Sequence, residues 1–353
     1  MKTIVDIPEN LFRKARYYID DGRYSSLGEA IVIALETQFA LEEIGEGKAV
    51  DASEVRRSTG KTRVRHARGL GNRDRRSSAD SEVSDSRSLP AEVKPVSAGK
   101  IARVPMPTLE KVGKRPYWLW GVHRIAPVKV AARIAASLIL DARGSVRLED
   151  LREKGGQIAF EVGEYLVAQD NQKGRKHGSR LSSGFPCSHL KDPDNRRSIS
   201  RFADLILGDV RKKTGRVDGA LYELRLLEVS EGKGESHIVS LTEPGMEFAM
   251  LHSPILDGES PESSLSEEEI EWYLRHIREN VPWEYDTLSK AIGYIGNGYG
   301  DTQGFLNAMV ENYGHMSEKT RASLRVCMLG RLLDLRLIAR IDKGEYTLTG
   351  RDL

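Results

Sequence analysis

Three groups of residues in this chain carry side chains able to do chemistry. Cys187 and His189, with His177 upstream, offer zinc-ligand chemistry, but a closed zinc site needs a second ligand pair at fitting spacing and none follows. Asp218, Glu223 and Arg225 are the residue types of a nuclease carboxylate set. Their pattern puts them on one helix rather than on neighbouring strands, so they do not converge on a metal-bound phosphate. The glycine-rich "GNGYG" at 296–300 follows a helix, not a strand, and lacks the Lys-Ser/Thr ending of a phosphate loop; it reads as a turn. No Ser-His-Asp or Cys-His nucleophile arrangement can be assembled from the spacing. The expectation is a protein without catalysis, cofactor or metal.

What remains is charge. The 54 basic and 52 acidic residues leave a net +2, but they are segregated along the chain. Residues 1–50 are net −3, 51–100 net +5, 101–229 net +9 and 230–353 net −9. A basic middle between acidic ends predicts a polyanionic partner, most simply nucleic acid. The cations fall in clusters. Arg56, Arg57, Lys61, Arg63, Arg65, Arg68, Arg73, Arg75 and Arg76 face only Asp74 across their stretch. The loop "NQKGRKHGSRLSSGFP" holds Lys173, Arg175, Lys176 and Arg180, and "GDVRKKTGR" holds Arg211, Lys212, Lys213 and Arg216. Nearer the C-terminus, Lys319, Arg321 and Arg325 precede Arg340 and Lys343, and residues 317–343 are net +4 inside an acidic region.

Elements must position these groups. The chain has 353 residues, 39% of them hydrophobic and 30% charged, which suits two or three domains more polar than one compact enzyme. Two cysteines, Cys187 and Cys327, cannot form a disulfide framework. No run of 18 uncharged apolar residues occurs and no basic, then apolar, leader opens the chain, so a cytoplasmic protein without a membrane span is expected.

Residues 1–45 read as one strand and two helices. Thr3, Val5 and Ile7 alternate with Lys2, Ile4 and Asp6. Pro8 opens a helix carrying Leu11, Phe12, Ala15, Tyr18 and Ile19, and Gly22 stops it. Ser26 and Glu29 form a capping box for the next helix. So short a piece with a lone strand cannot bury a core by itself, and a second copy of the chain is the simplest partner. The order strand–Pro–helix–"GRYSS"–helix resembles the ribbon-helix-helix family. The resemblance implies a homodimer through residues 1–45, with outward strand positions Lys2, Ile4 and Asp6 facing the major groove. Of these only Lys2 suits base or phosphate contact. Residues 46–104, rich in Ser, Arg, Asp, Gly and Ala, predict a disordered basic linker that adds sequence-independent phosphate affinity.

The remaining two thirds predicts helices with short strands. Trp118 and Trp120 read as packing anchors. Helices are expected over 128–140, 149–169, 198–207 and 216–227, followed by a strand, a Gly-containing turn and a return strand running into a capped helix. A further set follows: a helix capped by Ser266 and Glu269 through residue 280, helices over 286–295 and 301–313, and a long helix begun by Ser317. It ends in a second hairpin turning at 342–344. "LYELRLLEVSEGKGESHIVSLTEPG" and "LGRLLDLRLIARIDKGEYTLTG" thus repeat one pattern, leucine-rich helix end, hairpin and a strand ending Leu-Thr, which resembles the winged helix-turn-helix. The resemblance implies two such domains, 105–256 and 257–353, each with the helix before its wing entering the major groove. The first wing, with Glu231, Lys233 and Glu235, is not basic.

The fold class expected is therefore mainly α with short β: a ribbon-helix-helix dimerisation module, a disordered basic linker and tandem winged helices. The function expected is a homodimeric transcriptional regulator that binds double-stranded DNA. A plasmid or mobile-element replication or partition protein is the first alternative. A scaffold subunit contacting a protein partner through the acidic C-terminal region is the second.

Overall fold

A computed structural model describes residues 88–93, 103–112, 119, 121–176, 178–188, 195–212, 214–232, 236–258 and 261–353, together with Phe12. The ribbon-helix-helix reading, the linker arginines, Trp118 and Trp120 lie outside them. The described part is mainly helical with three small antiparallel sheets. Among the described residues no helix is long and apolar enough to cross a membrane.

The core is organised on α2 (Ala126–Asp141), which follows the short α1 (Leu109–Val112). Pro127 sits in the first turn of α2, where its missing N–H costs nothing, and Ala, Val and Ile fill the helix. The turn at Arg143 (φ 62°) and Gly144 stops it, with the Gly144 N–H bonded back to the Ile139 carbonyl at 2.9 Å. Lys129 and Arg133, one turn apart, are fully buried. Both point at the exposed-carbonyl end of α6 (Glu243–Met250). The Lys129 ammonium donates to the carbonyls of Phe248 and Leu251 and lies 3.3 Å from Glu269. Arg133 donates to those of Ala249 and Leu251 and to both oxygens of Asp257. Cations at a helix C-terminus meet its partial negative charge, which is why these two survive in the core. Burial still lowers the Lys129 ammonium to about 8, against the pull of Glu269.

A two-residue strand β1 (Val146–Arg147) leads into α3 (Leu148–Gln172). Gly155, Gly156, Ala159 and Gly163 make a thin stripe on α3. A Cβ at Gly163 would lie 2.0 Å from the Pro186 carbonyl oxygen, so the returning loop fits only against glycine. Next come α4 (Arg196–Phe202) and a π-turn, Ala203–Leu207, closed by the Gly208 N–H on the Ala203 carbonyl at 2.8 Å. Then follow a small hairpin of β2 (Asp209–Val210) and β3 (Val217–Asp218), the four-residue α5 (Ala220–Glu223), and the hairpin β4 (Leu227–Glu231) and β5 (His237–Leu241). The first sheet has the order β1-β5-β4, all antiparallel, with Val239 paired to both Val146 and Val229.

After α6 and α7 (Pro254–Asp257) come α8 (Glu267–Asn280), α9 (Pro282–Gly296), α10 (Thr302–Tyr313) and α11 (Glu318–Asp334). The hairpin β6 (Ile338–Asp342) and β7 (Glu345–Leu348) ends the fold. The capping box of Ser266 and Glu269 is formed in both directions, and Asp301 and Ser317 cap α10 and α11.

Two expectations need correction. The helix expected over 216–227 does not form: Val217 and Asp218 are strand, and only Ala220–Glu223 is helical. Gly219 (φ 117°) causes this, since it takes a conformation a helix excludes. The packed structure also reaches back into the stretch assigned to the linker. Val93 is buried against α2, its carbonyl accepting from Arg133, and the Val104 N–H donates to the Leu241 carbonyl at 3.0 Å.

Residues 87–353 cluster as one unit. A buried seam lies between Leu119, residues 121–125 and α11. The buried Arg331 guanidinium donates to the carbonyls of Val122 (2.7 Å) and Leu119 (3.4 Å) and is paired with buried Glu284 at 2.8 Å. Asp334 accepts from the Ile125 N–H at 2.7 Å and pairs with Arg124 at 2.7 Å. Gly330 faces the His123 carbonyl, where a Cβ would come within 2.2 Å.

Candidate nucleic-acid interface

The two helix-to-hairpin junctions are built alike, bond for bond. In the first, Arg225 adopts φ 59°, its N–H reaches the Tyr222 carbonyl, and the Leu226 N–H reaches the Leu221 carbonyl, each at 2.8 Å. In the second, Arg336 adopts φ 54°, with Arg336 N–H on Leu333 (3.1 Å) and Leu337 N–H on Leu332 (3.0 Å). This is the left-handed helix stop usually given to glycine. The threonine that ends each return strand then hydroxyl-bonds the same arginine's carbonyl: Thr242 to Arg225 at 2.9 Å and Thr349 to Arg336 at 2.6 Å. Each return strand also bonds an extended segment ahead of the preceding helices, β5 with β1 in the first half. In the second half the Tyr346 N–H donates to the Gly300 carbonyl at 3.1 Å. The "GNGYG" turn therefore supplies an edge to the second hairpin, and Gly300 is needed there because a Cβ would sit 2.2 Å from the Tyr346 oxygen.

Placed on this frame, the cations separate into paired and open sets. Lys173 pairs with Glu262, and Arg175 pairs with Asp170 at 3.3 Å while donating to the Pro261 carbonyl. Both thereby fasten the loop rather than present charge. Lys176 is exposed, and neither it nor half-buried Arg180 has a carboxylate partner among the described residues. On α11, Arg321 turns back to the Met316 carbonyl at 2.7 Å and Arg325 lies against Thr302 at 3.3 Å; Lys319 is exposed. Of the seven cations in 317–343, Arg331 is in the core and Arg336 is paired with Glu267, so that stretch carries less open charge than its composition implies. Arg340 and Lys343 are exposed on the second hairpin. The fold brings Arg340 to the 173–180 loop: a Cβ at Gly178 would lie 3.4 Å from its Nη1. Lys176, Arg180, Arg340 and Lys343 thus belong to adjoining segments far apart in sequence.

Arg211 and Arg216 stand on the β2–β3 hairpin with exposed Lys212 between them. Lys213, Lys2 and the arginines from Arg56 to Arg76 lie outside the described residues. Among the described residues of the first wing, Glu228 is tied to Lys111 and Glu231 is exposed, while Lys233 and Glu235 lie outside the described residues.

Of the residues singled out for metal chemistry, His177 and His189 lie outside the described residues, and the others are engaged as follows. Among the described residues no three His, Cys, Asp or Glu side chains are placed to hold a metal ion. The Cys187 thiol is pushed up by burial, with Glu164 nearby, and its N–H donates to Ser198 Oγ at 3.1 Å. The Arg225 guanidinium is spent on the carbonyls of Pro107 (2.7 Å) and Asn280 (2.8 Å). Asp218 is on a strand, between two arginines. One pair was not legible in the sequence: Cys327 Sγ lies 3.2 Å from His123 Nδ1, 204 residues away. The Cys327 charge raises the imidazole. Burial alone would raise the thiol, but His123 and Arg331 outweigh it and hold it below its usual value. No protein-family model, curated protein or solved structure matches this chain.

Proposed function

We propose that this chain is a non-enzymatic protein that binds double-stranded DNA as a homodimer and acts as a transcriptional regulator. The observation that carries the reading is the repeated junction. The chain twice builds a helix stop on Arg, a hairpin and a returning Leu-Thr, with the return strand bonded to an upstream extended segment, and this repeat supports reading it as a tandem winged helix. The cations on the second hairpin and the adjoining 173–180 loop, Lys176, Arg180, Arg340 and Lys343, support it, because cations on neighbouring segments suit a phosphate backbone. Dimerisation is assigned to residues 1–45 on the resemblance of their sequence to ribbon-helix-helix proteins.

Recovery and sequencing of genomic fragments bound by the full chain tests the reading. Fragments clustered at promoters, the protein's own among them, are expected. Clusters of direct repeats at an origin would move the assignment to replication or partition, and no retention at low salt would overturn DNA binding. Changing Lys176, Arg340 and Lys343 together to Gln should lower the slope of log affinity against log salt by about 2–3, at about 0.9 for each phosphate no longer neutralised. An unchanged slope would remove this face from the interface. Deleting residues 1–45 should leave a monomer by light scattering; a dimer would refute the role given to that segment.

A further inference from the structure

We propose that the β2–β3 hairpin is a phosphate clamp, in which Asp218 presents the guanidinium forks of Arg211 and Arg216 to the backbone of duplex DNA. The proposal rests on the DNA-binding reading above and names a contact within it.

The register of the hairpin sets the arrangement. Asp209 pairs with Asp218 and Val210 with Val217, and the Arg211 N–H bonds the Arg216 carbonyl at 2.8 Å. Alternation along a strand then puts Asp209, Arg211, Arg216 and Asp218 on one face and the two valines on the other. Val210 and Val217 pack against the core, so the charged face is turned away from it. On that face the Nε of Arg211 donates to Asp218 Oδ2 at 2.5 Å, and the Nε of Arg216 donates to Oδ1 at 2.9 Å.

This geometry leaves something over. A guanidinium has five N–H groups, and each arginine commits only Nε to Asp218. The Nη atoms of both have no partner among the described residues, and the side chains are 43% and 55% exposed while that of Asp218 is 10% exposed. The neighbouring carboxylates are engaged elsewhere, since Arg152 holds Asp204 at 2.5 Å and Asp209 at 3.5 Å. One carboxylate therefore restrains two cations side by side with their forks outward, and Lys212 adds a further charge at the tip. Paired forks of this kind match the tetrahedral oxygens of a phosphate, and fixing them beforehand reduces the ordering cost of binding. Asp218 is in this account a positioning residue. The helix expected over 216–227 would have put these cations at its opening; Arg211, Lys212 and Arg216 lie on a hairpin instead.

The test is fluorescence anisotropy of the full chain on a mixed-sequence duplex of about 30 base pairs, titrated across salt. R211Q/R216Q should weaken binding at least tenfold near 100 mM salt and lower the salt slope by about 2. R211K/R216K keeps both charges and loses the forks, so it should weaken binding several-fold with the slope retained. D218N decides the matter. Removing a negative charge from a DNA-binding face should tighten binding by electrostatics alone, whereas loss of the clamp should weaken it about three- to tenfold. Tighter or unchanged binding by D218N, or an unchanged slope in R211Q/R216Q, overturns the clamp while leaving DNA binding standing. A wild-type chain that binds no duplex even at low salt overturns the DNA reading and the clamp with it. The Arg-to-Gln changes lie on the exposed face, so their melting temperatures should stay near wild type.

Discussion

Replacing Arg331 by Met removes a guanidinium that joins three separate parts of the fold. Arg331 is fully buried; it holds Glu284 of α9 through two hydrogen bonds, at 2.8 and 3.3 Å, and caps the carbonyls of Leu119 and Val122. Met fills most of the volume, so the loss is electrostatic rather than steric. Leaving a buried carboxylate without its cation costs about 3–5 kcal/mol, and two carbonyls losing their donor add about 1 kcal/mol each, less whatever the Tyr273 hydroxyl, water or protonation of Glu284 recovers. A net destabilisation of about 4–6 kcal/mol is expected. Leu119 sharpens the effect because it is held at φ 48°, a conformation costly for a bulky residue and retained only while its surroundings impose it. The assay is urea unfolding followed by tryptophan fluorescence, with Trp283 next to Glu284 at the start of α9. E284Q should cost about 2 kcal/mol. The double variant R331M/E284Q should cost at least about 2 kcal/mol less than the sum of the two, because the buried charge is then gone. A loss below about 1 kcal/mol for R331M, or strict additivity in the cycle, would refute the claim that this pair locks Leu119 and residues 121–125 onto α11.

Two further predictions concern stability. His276 is buried, stacked on Trp272 and bonded through Nε2 to the Leu224 carbonyl at 2.8 Å; burial lowers it to about 4. A histidine kept neutral in the fold contributes stability that is complete above its unfolded value near 6.5 and is lost as pH falls towards 4. Unfolding free energy should therefore drop by about 2 kcal/mol between pH 7.5 and 5 on account of this group. H276Q should flatten that part of the pH profile, and an unchanged profile would refute the assignment. Gly163→Ala and Gly293→Ala should act in opposite directions. The first drives a Cβ into the Pro186 carbonyl and should cost over about 2 kcal/mol. The second meets nothing within 4 Å in the last turn of α9 and should gain about 0.5–1 kcal/mol, both read from urea midpoints.

Local signals carry much of the fold. The Ser266–Glu269 box, Asp301 and Ser317 state where helices begin, and each does so through a side chain bonding an N–H two or three residues on, close enough along the chain to be read from spacing. The duplicated Leu-Arg-Leu and Leu-Thr pieces are legible for the same reason. Long-range contacts are not. Lys129, Arg133 and Arg331 look like solvent-facing charges in the sequence and are buried because carbonyls and carboxylates 40 to 212 residues away meet them. The helix expected over 216–227 comes from its leucines, while the glycine that forbids it looks like ordinary punctuation. Asp218 has the chemistry of a metal ligand in the sequence, whereas its environment is two arginines brought in by a hairpin.

The neck of that hairpin has a consequence for how the chain can vary. Gly208 and Gly219 approach so closely that a Cβ at 219 would lie 2.4 Å from the Gly208 Cα. The arm leaves the body and re-enters it at effectively one point. Such a segment is modular: it can be lengthened, shortened or cut out and the ends rejoined with little demand on the helices below, because the gap to be bridged is already closed. The charge at its tip is thereby free to change without renegotiating the core, whereas the seam under α11, where Arg331, Asp334 and Gly330 each answer to a different backbone atom, has no such latitude.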